Sequence, residues 1–374
     1  MIHPEKLYEL LTGQGIEFYC GVPDSLLKDF LQLVDDRTGD EQHVITANEG
    51  LAIGLATGYH LATQKLPLVY LQNSGLGNTI NPLTSLADKD MYGIPMLLMI
   101  GWRGRPGVQD EPQHLKMGAV TLSLLEALAV PYFIIDGNTS TWEKDCNTAI
   151  AMAKENKQPV ALVITENIFT PYKKQRNNNA CTLDRAGTIQ RILDALNGDE
   201  TVFCTTGKIG REFYDLNNAA GDKIKRYFLS VGAMGHANHI ALGVHMQSRN
   251  RTLMIDGDGA LLMQLGGLPA IARYAPERFI HIVLNNGVHE SVGGQPTEAF
   301  NADLCDMAKA AGYLKVLSVN NEEELQQWLT QGFLSDQTQF VEIRVSDKTL
   351  KQPGRPAGNP ADWKENFMNA IKEQ

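Results

Sequence analysis

The stretch that decides the fold spans residues 252–288: TLMIDGDGALLMQLGGLPAIARYAPERFIHIVLNNGV. It opens with an apolar run, TLMIDG (252–257), that leads into Gly257-Asp258-Gly259. It closes on a second run, FIHIVLNN (279–286), that ends in Asn285-Asn286. The 25 residues between the motifs, 260–284, are about what a helix and a returning parallel strand need. Both motifs would then emerge at the same carboxyl edge, where open α/β sheets bind ligands. Together they offer a carboxylate, amide oxygens and a glycine-rich backbone beside a helix N-terminus. That combination suits a hard divalent cation and a diphosphate. Either motif alone would be an ordinary turn, since Gly, Asp and Asn favour turns.

The alternation of apolar strands with helical segments continues outward from this stretch. In the first half the strand candidates are IEFYCGV (16–22), HVITA (43–47), PLVYLQ (67–72), PMLLMIG (95–101), YFIID (132–136) and VALVIT (160–165). In the second half TVFCTT (201–206), RYFLSV (226–231), LKVLSV (314–319) and FVEIRV (340–345) join the two runs above. Several are continuous apolar runs, as expected of strands covered by helices on both faces. PYKKQRNNNACT (171–182) interrupts the pattern with a polar segment of neither period and marks a linker. The reading is α/β: two parallel-sheet domains of about six strands each, residues 1–170 and 184–374, joined by a linker at 171–183 with no central domain. Asp24 precedes the amphipathic run SLLKDFLQLV and is a candidate N-cap, and a last helix is expected near 361–372.

Composition bounds the function. The 374 residues are 43% hydrophobic and 20% charged, which is globular and excludes a disordered chain. A net charge of −10 argues against nucleic acid and anionic membranes as partners. Cysteines at 20, 146, 181, 204 and 305 form no CxxC pair, so neither a disulfide framework nor a zinc site is expected, and a cytoplasmic location is. No apolar run approaches the ~18–20 residues of a membrane span, and the N-terminus lacks a signal-peptide apolar segment.

GDG followed by NN at this spacing resembles the signature of thiamine-diphosphate (ThDP) enzymes. The resemblance implies a pyrimidine-binding domain followed by a diphosphate-binding domain, with ThDP and Mg²⁺ as cofactors. Asp258, Asn286 and the backbone carbonyl of Val288 would ligate the metal, and Gly257, Gly259 and Ala260 would adjoin the diphosphate. The pyrimidine domain of this family carries a glutamate at a strand end before a helix of small residues. Asn48-Glu49-Gly50, followed by LAIGLATGYH, matches it. Glu49 would then favour the imino tautomer of the cofactor ring, whose nitrogen takes the C2 proton. In isolation, a glutamate in a first helical turn is equally an acid favoured by the helix dipole. Met234, in Gly232-Ala233-Met234-Gly235, would wedge beneath the cofactor, and Gly75 and Asn78, in Ser74-Gly75-Leu76-Gly77-Asn78, would meet its pyrimidine end.

The two-domain form without a central domain resembles the decarboxylases of phosphonopyruvate and sulfopyruvate, most closely the former. The specific pieces are Gly21-Val22-Pro23-Asp24-Ser25, RGRPGVQDEPQHLKMG (103–118) and Gly293-Gly294-Gln295-Pro296-Thr297. The implied activity is decarboxylation of 3-phosphonopyruvate to phosphonoacetaldehyde and CO₂ through the ThDP ylide, in phosphonate biosynthesis. Asp24, His114 and His289 are the implied catalytic groups besides Glu49. Ser25, Arg103, Arg105 and His114 are candidates for holding the substrate, because a phosphonate needs cations or hydrogen-bond donors. Related decarboxylases often carry a His-His pair where this chain has Gln113-His114. Glu290, Lys208 and Arg211 are weaker candidates, and His236 and His239 lack a third metal ligand and are read as structural. The family also implies a homo-oligomer with active sites at subunit interfaces, which the small apolar run 51–62 suits. The implied partner is a small anionic 2-keto acid. The alternatives are sulfopyruvate as substrate, carboligation of the acetolactate synthase type, and a non-enzymatic nucleotide-binding scaffold.

Overall fold

A computed structural model describes residues 1–136, 141–174, 178–248, 250–333, 335–348 and 353–372. The chain divides into two compact units. One comprises Met1–Arg176 with His289–Pro296, the other Asn177–Val288 with Thr297–Gln374.

The first unit is built on β1 (Tyr19–Gly21), β2 (His43–Ile45), β3 (Leu68–Gln72), β4 (Met96–Gly101), β5 (Tyr132–Ile135) and β6 (Pro159–Ile164), in the order β2-β1-β3-β4-β6-β5. The second contains β7 (Thr201–Cys204), β8 (Arg226–Leu229), β9 (Thr252–Gly257), β10 (Phe279–Asn285), β11 (Lys315–Val319) and β12 (Gln339–Arg344), in the order β11-β12-β10-β9-β7-β8. All pairings within both sheets are parallel. Each strand falls on one of the apolar runs read from the sequence. The central strands β4, β6, β9 and β10 are buried throughout, whereas the edge strands β2 and β8 are half-buried.

The two-residue period of a strand divides each sheet's apolar side chains into two layers. Along β4, Leu97 and Met99 enter one core and Met96, Leu98 and Ile100 the other. Along β10, Ile280, Ile282 and Leu284 face one layer, while Phe279 and Val283 face the opposite one. Burying each such side chain contributes roughly 1.5–3 kcal/mol. The last helix, Pro360–Lys372, covers the edge of the second sheet by packing Phe367 edge-on against Phe203 and Phe228.

One sequence expectation needs correction. The helix after β1 is Lys28–Arg37, so Asp24 is not its N-cap. A turn over residues 25–27 intervenes, and Asp24 Oδ1 instead accepts the Leu26 N–H at 2.9 Å. The described ends of the segment 171–183 are hydrogen-bonded. Tyr172 donates to Asp36 at 2.6 Å in the first unit, while Asn179 Nδ2 donates to the Asn286 and Val345 carbonyls at 3.0 Å in the second. Residues 175–177 lie outside the described residues. Among the described residues, no helix is long and apolar enough to cross a membrane.

Chain order creates a switch point in each sheet. After β1 the chain adds β2 on one side and β3 on the other, and after β7 it adds β8 and then β9 in the same manner. Ligand sites in such sheets lie outside the carboxyl ends of strands at these crevices. The loop after β4 is anchored by the helix Pro112–Ala127. Trp102 Nε1 donates to the Gly118 carbonyl at 2.8 Å, and a Cβ on Gly118 would stand 1.8 Å from the Gly104 oxygen. Gly118→Ala should therefore force the loop off the helix and cost about 1–3 kcal/mol. Urea unfolding of the two proteins measures the difference; equal midpoints would contradict the close approach.

Candidate active site

The first unit gathers its candidates at one edge of its sheet. Glu49 follows β2 and opens the helix Glu49–Thr63, whose N-cap Asn48 accepts the Gly50 N–H at 2.8 Å. Glu49 is 5% exposed, and its Oε2 accepts from Asn78 Nδ2 at 2.7 Å. A Cβ on Gly75 would stand 2.2 Å from Glu49 Oε1, so only glycine leaves that oxygen its place. The structure thus brings Glu49, Gly75 and Asn78 together from the ends of β2 and β3.

Asp24 follows β1 and is fully buried. Burial pushes its carboxyl up to about 6, against the N–H groups of Leu26, Ser25 and Leu27 and the charge of Arg103. Its Oδ2 has no hydrogen-bond partner. Arg103 donates through Nη1 to Ser25 Oγ at 2.8 Å and forms a two-point pair with Asp110, at 2.8 and 2.5 Å. Asp110 also accepts the Gly104 N–H at 2.7 Å, and its carboxyl is held below the usual range by Arg103 and by backbone donors, against its partial burial. Arg105 pairs with Glu166 at 2.6 Å. Both arginines therefore already carry a carboxylate. Burial and the nearby Arg103 lower the His114 imidazole below its ordinary value.

The second unit gathers the rest. In the β9–β10 register Gly257 lies opposite Leu284, so Asp258 and the Asn285-Asn286 pair leave the sheet side by side. Asp258 is 5% exposed; burial raises its carboxyl to about 6, opposed by the Thr297 hydroxyl and the N–H groups of Gly259, Asp258 and Gly287. Thr297 Oγ1 donates to Asp258 Oδ2 at 2.5 Å. Gly287 adopts φ +73°, in the left-handed region, and the Val288 N–H donates to Asn286 Oδ1 at 3.2 Å. Asn285 Oδ1 accepts the Gly287 N–H at 3.0 Å, and Asn285 Nδ2 donates to Glu342 Oε1 at 2.7 Å. Beneath the GDG turn, Asp256 Oδ1 accepts the Gly257 N–H, and Oδ2 faces Asn238 Nδ2 at 3.3 Å and His281 Nε2 at 3.4 Å.

Met234 is half-buried beyond β8, next to Ala233 at φ +51°. His236 bonds the Ala233 and Met234 carbonyls, and His239 bonds Asn238 Oδ1 at 2.8 Å. His289 belongs to the segment grouped with the first unit, and burial pushes its imidazole down to about 4. Lys208 begins the helix after β7. Sequence reasoning missed Asp110, Thr297 and Glu342 as parts of these clusters. The signals for Asp110 and Thr297 were their places in two motif stretches already singled out; Glu342 lies inside an apolar run with no such mark.

The donor set fits a magnesium diphosphate. It offers one buried carboxylate, one amide oxygen and one backbone carbonyl, all hard oxygens, leaving further positions for a diphosphate and water. Among the described residues no group of three or more His, Cys, Asp or Glu could hold a metal without such help.

The chain matches two family models. One is the N-terminal TPP-binding domain of thiamine pyrophosphate enzymes, over residues 4–122; the other is the C-terminal TPP-binding domain of the same enzymes, over residues 211–343. It is 32% identical to a phosphonopyruvate decarboxylase of Streptomyces viridochromogenes, over 99% of this chain and 95% of that protein. A phosphonopyruvate decarboxylase of Streptomyces hygroscopicus is 31% identical over 100% and 95%. A sulfopyruvate decarboxylase of Methanosarcina acetivorans is 27% identical over 99% and 98%. With a paired set of cofactor-domain matches and full-length relatives above 30% identity, the chain belongs to the thiamine-diphosphate-dependent decarboxylase family.

Proposed function

We propose that this chain is a carboxy-lyase that converts 3-phosphonopyruvate to phosphonoacetaldehyde and CO₂, with ThDP and Mg²⁺ as cofactors. The observation that carries the substrate is end-to-end similarity to two phosphonopyruvate decarboxylases at 31–32%, against 27% for the sulfopyruvate relative. Residues 1–170 would form the pyrimidine-binding domain and 184–374 the diphosphate-binding domain, with 171–183 between them. A homo-oligomer is supported by the helix Glu49–Thr63, which leaves Leu51 62%, Leu55 38% and Leu61 68% exposed on one side. The cytoplasmic reading rests on free thiols at all five cysteines.

When bound, ThDP supplies the nucleophile and the electron sink of the decarboxylation. Asp258, Asn286 and the Val288 carbonyl would hold the metal, with Gly257, Gly259 and Ala260 offering backbone close to the diphosphate. Glu49, fixed through Oε2 by Asn78, would use Oε1 to hold a proton at the cofactor's pyrimidine nitrogen. Met234 would pack beneath the cofactor. Asp24, with its carboxyl raised to about 6 and its Oδ2 unpartnered, would exchange a proton close to neutral pH, as a general acid must. His114 and His289, both lowered by burial, would act as neutral imidazoles with one donor and one acceptor. Ser25 and Arg103 would meet the phosphonate, with Arg103 shared between Asp110 and the substrate; Arg105 is the second cation of that loop.

Three outcomes are expected. CO₂ and aldehyde release should be fastest from phosphonopyruvate when it is compared with sulfopyruvate and pyruvate, and should vanish without ThDP and Mg²⁺. Preference for sulfopyruvate would move the substrate while keeping the chemistry; carboligation products would replace the assignment.

Glu49→Gln should still bind ThDP in calorimetry but turn over roughly 100-fold or more slowly, the usual scale for losing an acid–base group. Full activity in that variant would remove Glu49 from the mechanism.

Asp24 gives a pH signature. Its folded value of about 6 exceeds the ordinary 3.8, so the folded protein binds this proton more tightly than the unfolded chain. The stability it contributes is complete below about pH 4 and is lost as pH rises through 6. Asp24→Asn should therefore gain stability relative to the parent between pH 4 and pH 8, by up to about 3 kcal/mol. Urea midpoints at the two pH values read this out; a pH-independent difference would contradict it.

A further inference from the structure

We propose that Glu342 is a positioning residue for the metal-binding loop, acting through Asn285. The proposal rests on the ThDP and Mg²⁺ reading above. Glu342 sits in the middle of β12, is 2% exposed, and has no role in the family resemblance. In the β10–β12 register Val283 lies opposite Glu342 and Asn285 opposite Arg344, which sets the Glu342 and Asn285 side chains as neighbours on one face.

A buried carboxylate is costly unless hydrogen bonds and charge compensate it. Here Oε1 accepts from Asn285 Nδ2 at 2.7 Å and lies 3.3 Å from Arg344 Nε, while Oε2 is 3.8 Å from Cys305 Sγ. A carboxylate can only accept, so it dictates which end of the Asn285 amide faces it. The NH₂ must point to Glu342, where its hydrogens reach Glu342 and the Ala299 carbonyl, the latter at 3.3 Å. The amide oxygen must then point to the Gly287 N–H, which it accepts at 3.0 Å. If the amide were reversed, its NH₂ would oppose the Gly287 N–H, donor against donor.

That bond closes the turn on which the next residues depend. It bridges Asn286, the proposed ligand, and fixes Gly287 in the left-handed conformation that precedes the Val288 carbonyl. From the other side the Asn286 carbonyl is held by Asn179 Nδ2 at 3.0 Å. Glu342 thus reaches the metal loop through the Asn285 amide. The carboxylate also borders an open cavity of ≈310 Å³ lined by Phe300, Asn301, Cys305, Ser318 and Arg344. Shortening the side chain extends a space open to solvent rather than hollowing a dry core.

The test measures the metal directly. Mg²⁺ is titrated calorimetrically into the full-length apoprotein at fixed ThDP, for the parent, Glu342→Gln and Glu342→Ala. Outer partners of metal ligands typically change affinity about 10- to 100-fold. Glu342→Ala should raise the Mg²⁺ Kd by that factor. Glu342→Gln, whose amide can donate as well as accept, should weaken it in the same direction and keeps the proposal testable should the alanine variant not fold. At saturating Mg²⁺ the kcat of the variants should recover and KM for the keto acid should stay constant, which general loss of structure would not give. An Mg²⁺ Kd within twofold of the parent in a folded variant, or a loss of kcat that excess Mg²⁺ does not restore, overturns the proposal. A parent protein without Mg²⁺-dependent ThDP binding overturns the cofactor reading and this inference together.

Discussion

The parallel register between β9 and β10 is the constraint on which the second unit's chemistry depends. It pairs Phe279 with Thr252 and Leu284 with Gly257, so the two strands end within one residue of each other. In the neighbouring β10–β12 register a slip of one residue would likewise turn Asn285 to the opposite face and separate it from Glu342. The register is held by burial: Ile280, Ile282 and Leu284 on one face and Phe279 and Val283 on the other are each at most 1% exposed. An apolar core therefore fixes a polar turn. The energy that sets the site comes from side chains that touch none of its chemistry.

Asp258 carries the consequence of that arrangement. Burying its carboxylate costs free energy, only partly offset by the Thr297 hydroxyl and three backbone N–H groups. A nearby divalent cation would reverse the balance, returning the carboxyl toward its ordinary range and adding the binding energy to the stability of the fold. The loops from β9 and β10 are shaped around an electrostatic debt that protein donors alone leave open.

The sequence made the sheets legible because parallel strands buried on both faces must be nearly all apolar. TLMIDG and FIHIVLNN announce themselves in that way, and their endings announce the edge at which they emerge. Local capping was less legible: Asp24 stands where a helix cap would, but three residues of turn delay the helix to Lys28. Long-range partners were not legible at all. Arg103 reads as a free cation until Asp110 is seen to fold back on it, and Glu342 reads as one charge in the run FVEIRV until the register brings it to Asn285. Such pairs are set by how strands and loops meet in space, and no spacing within either segment encodes them.

Asp24 and Asp258 complete the argument, because they reach the same value by the same cause and differ in everything that follows. Burial raises both carboxyls to about 6. Asp258 has a hydroxyl and several N–H groups turned toward it and leaves no buried oxygen unpartnered, the setting of an anion awaiting a cation. Asp24 keeps one oxygen, Oδ2, buried and without any partner, the setting in which a carboxyl retains its proton. Environment, not residue type, assigns such roles to two like acids. On the proposed function the first would be held ionised by the metal at every working pH. The second would exchange its proton near neutrality, where a decarboxylase that must protonate its product needs one.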